Sequence, residues 1–159
     1  MQLQAHGVES TSSPAYVQQD LANLTDVYLQ AVVTVPAATH TGLAAESDGY
    51  GIELIEVDYA SNGNGIFLGA SSGVVSFWTD FSAEGAFFTV SPDTAYTIDL
   101  RMQAGSPPTA TVRIDGVQVH TGTEGNNNTS FQNARFGIVD LFTFGGSADW
   151  TVLVDSIKI

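Results

Sequence analysis

The chain has 159 residues, 43% of them apolar, no cysteine, and a net charge of -13 from seventeen acidic residues set against Arg101, Arg113, Arg135 and Lys158. That length and apolar content suit one domain with a real core and exclude a disordered chain, and the missing cysteine removes disulfides and thiolate metal sites. The acidic balance repels phosphate backbones and anionic membranes, so nucleic acid is excluded as a partner; no apolar run reaches the ~18–20 residues of a membrane span.

The start, "MQLQAHGVES", has neither the basic region nor the apolar stretch of a signal peptide. Met1, Leu3 and Ala5 alternate against Gln2, Gln4 and His6, so a first strand over 1–7 begins without a lead-in. It reads as a module of a larger protein or assembly. Further strands are expected over 15–20, 26–35, 50–59, 65–70, 73–79, 85–90, 94–104, 109–114, 117–122, 133–141 and 149–159. Helical periodicity is nearly absent; "QQDLANLTD" (18–26) holds at most one turn. Turn chemistry separates the strands at "STSSP" (10–14), "SNGNG" (61–65), "SSG" (71–73), "SPD" (91–93), "GSPP" (105–108), "EGNNN" (124–128) and "GGS" (145–147).

Within "TATVRIDGVQVHTGT" (109–123), Asp115-Gly116 joins two alternating runs and predicts a two-residue hairpin. Its register would set Ile114 opposite Val117, Val112 opposite Val119 and Ala110 opposite Thr121, with Arg113 opposite Gln118 and Thr111 opposite His120 on the polar face. In "DWTVLVDSIKI", Trp150, Val152 and Val154 alternate against Leu153, Ile157 and Ile159, a strand buried on both faces with Trp150 in the core. Twelve short, evenly spaced strands without a linker or repeat describe one domain over 1–159, an all-β sandwich or barrel.

The order "AYVQQDL", "DVYLQAVVTV", "GIELIEVDYASNGNGIFL", "AYTIDLRMQAG", "TATVRIDGVQV", "ARFGIVDL", "WTVLVDSIKI" resembles the concanavalin A-like jelly roll in its laminin-G-like and lectin/glucanase branch. The resemblance covers almost the whole chain and rests on short structural motifs. It implies two curved antiparallel sheets of about six strands, with ligands commonly held on the concave face. Members include lectins, glycan-binding modules, glycosidases, polysaccharide lyases and virion or adhesin domains.

The candidate chemistry divides into acids, a histidine, metal ligands and aromatics. In "ELIEVD", Glu56 and Asp58 share a strand face, and a bulge would bring Glu53 onto it. Glycosidases set two carboxyls ~5–5.5 Å or ~6.5–9.5 Å apart. The glucanase pattern E-x-D-x-x-E or E-x-D-x-E is broken here, which leaves these residues as solvated acids. His120, beside Thr111 and near Arg113, is the one cluster with a lyase flavour and reads as an exposed strand histidine; His6 and His40 are isolated. The resemblance implies a structural Ca²⁺, for which Asp155 in "VDSIKI" is the expected ligand, and Asp58, Asn62 and Asn64 offer further oxygens. In "GVVSFWTDF", Ser76, Trp78 and Asp80 take the face opposite Val75 and Phe77. Trp78 is then either a core residue or a stacking platform for a sugar; as a platform it would have Asp80 bonding hydroxyls beside it and Tyr59 and Tyr50, which the sequence does not place, as flanking candidates. Asn23, Asn127 and Asn128 head N-glycosylation patterns, and "EGNNNTS" would rim a binding face.

With no complete catalytic set, the sequence reads as a non-catalytic glycan-recognition module, not an enzyme, of an extracellular or surface-exposed protein. Its sugar-binding residues are Trp78, Asp80 and Tyr59. The alternative is a structural or decoration domain of a phage virion or surface assembly, acting through neighbouring protein subunits. A glycoside hydrolase or polysaccharide lyase comes third.

Overall fold

A computed structural model describes residues 2–6, 15–45, 49–59, 62–81, 85–123, 129–141 and 149–159. Its strands are β1 (Gln2–His6), β2 (Ala15–Leu24), β3 (Asp26–Thr34), β4 (Gly49–Tyr59), β5 (Asn62–Ser71), β6 (Val74–Thr79), β7 (Gly85–Thr89), β8 (Ala95–Gln103), β9 (Thr109–Ile114), β10 (Val117–Thr123), β11 (Phe131–Leu141) and β12 (Asp149–Lys158). All twelve expected strands form. They build two six-stranded antiparallel sheets, ordered β1-β12-β3-β8-β9-β10 and β2-β11-β4-β5-β6-β7. This is the expected all-β, two-sheet jelly-roll sandwich.

Alternation explains the packing. Val27, Leu29, Ala31 and Val33 of β3 and Ile98, Leu100 and Met102 of β8 face inward from the first sheet. Ile66 and Leu68 of β5, Phe77 of β6 and Phe136 of β11 meet them from the second. Phe77 lies edge-on to Tyr96 at 5.8 Å and stacked on Phe88 at 6.2 Å, which ties the two layers together.

Four departures from the sequence expectation have physical causes. Segment 18–26 is not helical: β2 runs through it to Leu24, with Ala22 and Asn23 at positive φ (49° and 61°) and Asp20 accepting the Ala22 N–H at 2.7 Å. A helix, α1 (Ala37–Ala45), forms instead between β3 and β4. Asp93 accepts the Ala37 N–H at its start, and Thr39 exchanges two hydrogen bonds with the Thr151 backbone (2.8 and 3.0 Å). The hairpin turn is as expected, with Asp115 and Gly116 both at positive φ, but a bulge after Gln118 sets His120 opposite Val112 and Thr121 opposite Thr111. In β12, Ser156 at φ 53° interrupts the ladder, so Val154 and Ile157 share the inward side while Asp155 and Lys158 are exposed. Trp150 is buried, as expected, and its ring lies against α1, where a Cβ on Gly42 would come within 3.0 Å. The turns at 10–14, 124–128 and 145–147 lie outside the described residues, as do the acceptor patterns at Asn127 and Asn128.

Candidate functional site

The chemistry gathers on the outward side of the second sheet. The register of β4 on β5 slips between Glu53 and Ile55, so Leu54 and Ile55 are both buried, and Glu53, Glu56 and Asp58 come onto one face. This is the bulge that the sequence allowed, and the three acids are not simply solvated. Arg135 of β11, registered opposite Glu56, donates from Nη1 to Glu56 (2.5 Å) and pairs through Nη2 with Asp58 (2.6 Å). Its Nε donates to Gln18 at 3.0 Å, and its guanidinium lies 5.6 Å from the Tyr16 ring centre. All three guanidinium nitrogens are therefore engaged.

Glu53 is different. It is 7% exposed, and among the described residues no hydrogen bond or ion pair reaches its carboxyl. Burial, then the charges of Glu56, Asp80 and Asp140, push its pKa up to about 8 against the weaker pull of Arg135. At neutral pH it holds its proton. Burial, then Asp58, also pushes Glu56 upward, against Arg135. Asp140 reaches this position because β11 is irregular between Phe136 and Asp140, with Gly137 at φ 130°, which sets Asp140 opposite Glu53.

Beneath these carboxyls β5 has glycine at three outward positions, with Phe67 among them registered opposite Glu53. Gly63, Gly65 and Gly69 alternate with the inward-facing Asn64, Ile66 and Leu68. A Cβ on Gly65 would stand 2.7 Å from Glu53 Oε1 and 2.2 Å from the Ile55 carbonyl oxygen; one on Gly63 would stand 2.2 Å from Glu56 Oε1. The carboxyls thus lie in space that any side chain would fill. Along the far side runs β6, where Trp78 is registered against Phe67 and Asp80 accepts the Gly65 N–H at 3.0 Å.

Of the expected site residues, Trp78 and Asp80 lie together on this face, both half-buried. Tyr59 does not: it belongs to the core at 4% exposure, because it follows Val57 in the inward alternation of β4. Asp155 lies on the other sheet, exposed, its Oδ1 accepting the Ser156 N–H at 2.7 Å, which lowers its pKa. Asp58 and Asn64 point to opposite faces, since Asn64 is registered against buried Val57. Among the described residues no group of three or more His, Cys, Asp or Glu could hold a metal ion, and no helix is long and apolar enough to cross a membrane. His120 is not an exposed strand residue. The bulge turns it inward, half-buried, 5.5 Å from the Phe87 ring. His40 Nε2 lies 3.0 Å from the Val90 carbonyl oxygen.

Arg135, Asp140 and the glycines of β5 were not legible as site residues. The signal for Arg135 was its isolation, a lone cation in the apolar run "ARFGIV" of an acidic chain, which demands a carboxylate neighbour. The remaining cations belong to the first sheet. Arg101 forms a two-point pair with Asp26 (2.7 and 3.1 Å), Arg113 is registered opposite buried Asp99, and Lys158 donates to Gln30 at 2.7 Å.

No protein-family model matches the chain, and no curated protein matches it. Solved structures match its fold. The alginate lyase Aly36B superposes with a TM-score of 0.65 at 15% identity, over 98% of this chain and 77% of the lyase. An endo-β-1,4-glucuronan lyase from the fungus Trichoderma reesei gives 0.59 at 10% identity over 98% and 78%. The cellulose-induced protein Cip1 gives 0.55 at 14% over 99% and 84%. At such identities the likeness establishes the fold. It also corrects the expectation that the chain is not an enzyme, because the fold it shares along nearly its whole length is one on which polysaccharide lyases are built. The broken glucanase pattern is therefore no ground for a non-catalytic reading.

Proposed function

We propose that this chain is a carbohydrate-active protein that takes a glycan across the outward face of its second sheet and cleaves it with Glu53 as proton donor. The observation that carries the reading is one acid that burial keeps protonated with a second carboxyl, Asp140, registered opposite it, an arrangement in which paired carboxyls divide acid and base roles. In this reading the Glu53 proton passes to the glycosidic oxygen as the C1–O bond breaks. Water adds its oxygen to C1 and gives its proton to Asp140, the carboxylate opposite Glu53. Trp78 stacks on a sugar ring, and Asp80 accepts from hydroxyls. Hydrolysis fits this face better than elimination. A lyase takes the proton beside a uronate carboxylate, and a face bearing Glu56, Asp58, Asp80 and Asp140 around a single arginine repels that anion. A polymeric glycan as substrate puts the protein's work outside a cell or at a cell or virion surface.

The test incubates the protein with neutral, amino and uronate polysaccharides and follows new reducing ends beside the ultraviolet absorbance of unsaturated ends. New reducing ends without unsaturation, reduced about 100-fold or more in Glu53→Gln, are expected. Unsaturated products, no cleavage of any glycan, or cleavage indifferent to Glu53→Gln would each overturn the reading.

A further inference from the structure

The outward face of the first sheet, across the sandwich from Glu53, holds three of the chain's four cations, Arg101, Arg113 and Lys158. Register aligns Lys158, Gln30, Asp99, Arg113 and Gln118 in one row over five adjacent strands, a width of roughly 19 Å at ~4.8 Å per strand. Hydrogen bonds tie the row together. Lys158 Nζ donates to Gln30 Oε1, and Gln30 Nε2 and the Tyr28 hydroxyl both donate to Asp99 Oδ1, each at 2.7 Å. Asp99, 6% exposed, is thereby committed to β3. Arg113 stands directly opposite it, half-buried, yet makes no hydrogen bond or ion pair among the described residues. The other two guanidinium groups are taken, Arg101 by Asp26 and Arg135 by Glu56, Asp58 and Gln18. Tyr28 lies beside the row, 45% exposed, its ring fixed by the bond to Asp99 that also raises the pKa of the phenol.

We propose that this face is a second glycan surface, which holds an acidic polysaccharide by clasping a sugar carboxylate in the Arg113 fork beside the exposed ring of Tyr28. Parallel N–H donors of a guanidinium match the two oxygens of a carboxylate. A half-buried charge without a partner is costly to keep, and an incoming carboxylate supplies that partner. The acids of the face are already engaged. Asp26 accepts from Arg101 and Gln103, and Asp99 from Tyr28 and Gln30. At the margins Asp115 and Asp155 accept the backbone N–H groups of Thr97 and Ser156. Tyr28 offers its ring to the C–H face of a sugar, and Gln118 and Thr111 offer partners to hydroxyls. The outward neighbours of Arg113 across the strands are Asp99 and Gln118, neither apolar, which suits a hydroxylated ring better than the side chains of an acidic peptide. The surface holds polymer apart from Glu53, and no bond is broken there.

The experiment titrates the protein calorimetrically with a galacturonate hexamer, cellohexaose and hexaglutamate, and repeats the titrations with Arg113→Gln, Arg113→Lys, Tyr28→Ala and Glu53→Gln. The galacturonate hexamer should bind more tightly than either of the others, and less tightly as salt is added. Arg113→Gln should weaken it about tenfold or more, and Arg113→Lys, which keeps the charge and loses the fork, should restore only part of that. Tyr28→Ala should weaken it several-fold. Removing an unpaired charge should not lower the urea midpoint, so the affinity lost in Arg113→Gln is not lost fold. Glu53→Gln should leave binding unchanged, which separates this face from the site of cleavage. No binding of the galacturonate hexamer, binding indifferent to Arg113→Gln, or equal binding of cellohexaose overturns the inference. Equal or tighter binding of hexaglutamate also overturns it and makes the face a site for acidic peptide. Glu53-dependent cleavage of neutral glycans is untouched by any of these results and is judged by its own test.

Discussion

Replacing Glu53 with glutamine should change how stability depends on pH more than it changes stability itself. The native carboxyl titrates at about 8 and an unperturbed one at 4.5. Between those values the folded protein holds a proton that the unfolded chain has released. Stability contributed by this group is therefore complete below pH 4.5, falls through the window and is lost above about 8. At ~1.4 kcal/mol per pH unit the upper limit is roughly 5 kcal/mol, and relaxation with water entry on ionisation brings the expected loss to about 2–3 kcal/mol. Urea unfolding read by tryptophan fluorescence at pH 5 and pH 9 would show the wild-type midpoint falling by roughly 1–2 M beyond that of Glu53→Gln. Glutamine keeps the volume and carries no charge, so the variant should match the wild type at pH 5 and exceed it at pH 9. Parallel pH profiles would show that Glu53 is solvated and ionises freely, and the proton-donor role would fall with it.

Gly65→Ala should cost about 3 kcal/mol or more in urea melts, because its Cβ meets the Ile55 carbonyl, whereas Gly63→Ala meets a side chain, that of Glu56, and should cost roughly 1 kcal/mol. Gly63→Ala should nonetheless reduce glycan cleavage, since it displaces the carboxylate that Arg135 holds. Arg135→Gln leaves Glu56 and Asp58 side by side without their cation, so a loss of about 2–4 kcal/mol at pH 7 is expected, shrinking as pH falls toward 4 in the same melts. Thr39→Val removes both hydrogen bonds to Thr151 and should lower stability by about 1–3 kcal/mol, with faster amide exchange at Thr151.

The strands were legible because apolar alternation and turn residues are local, and the Asp115-Gly116 turn followed from its need for positive φ at two positions. What escaped was decided by single extra residues. The bulge after Gln118 carried His120 to the inner side, and nothing in "VQVHTG" favours that register over the regular one. The slip after Glu53, a bulge that the sequence did allow, had the opposite effect on the site, joining acids that strict alternation would have parted. Helix α1 lacks an apolar stripe, burying only Thr39 and Leu43; its sequence signal was Pro36 ahead of two alanines, and its start is fixed by Asp93, distant in sequence. Tyr59 and Trp78 were offered to the same sugar on aromatic character, yet one-residue parity sends one ring into the core and the other outward. Arg135, Asp140 and the glycine floor acquire meaning only across strand pairings, which no local window contains.

The order of strands has a consequence for how the chain becomes a protein. β12 lies between β1 and β3, and β11 lies between β2 and β4, so these two strands are inserted into the sheets, one in each, after the ten strands that precede them in sequence. While β11 and β12 remain within the ribosome, β1 and β2 have no backbone partner and Glu56 and Asp58 have no counter-ion. The hairpins β8-β9-β10 and β4-β5-β6-β7 can pair as they emerge, but closure of the sandwich waits for residues near 158. Both sheets and the acidic face are thus completed together, in one late step that begins when β11 and β12 become available.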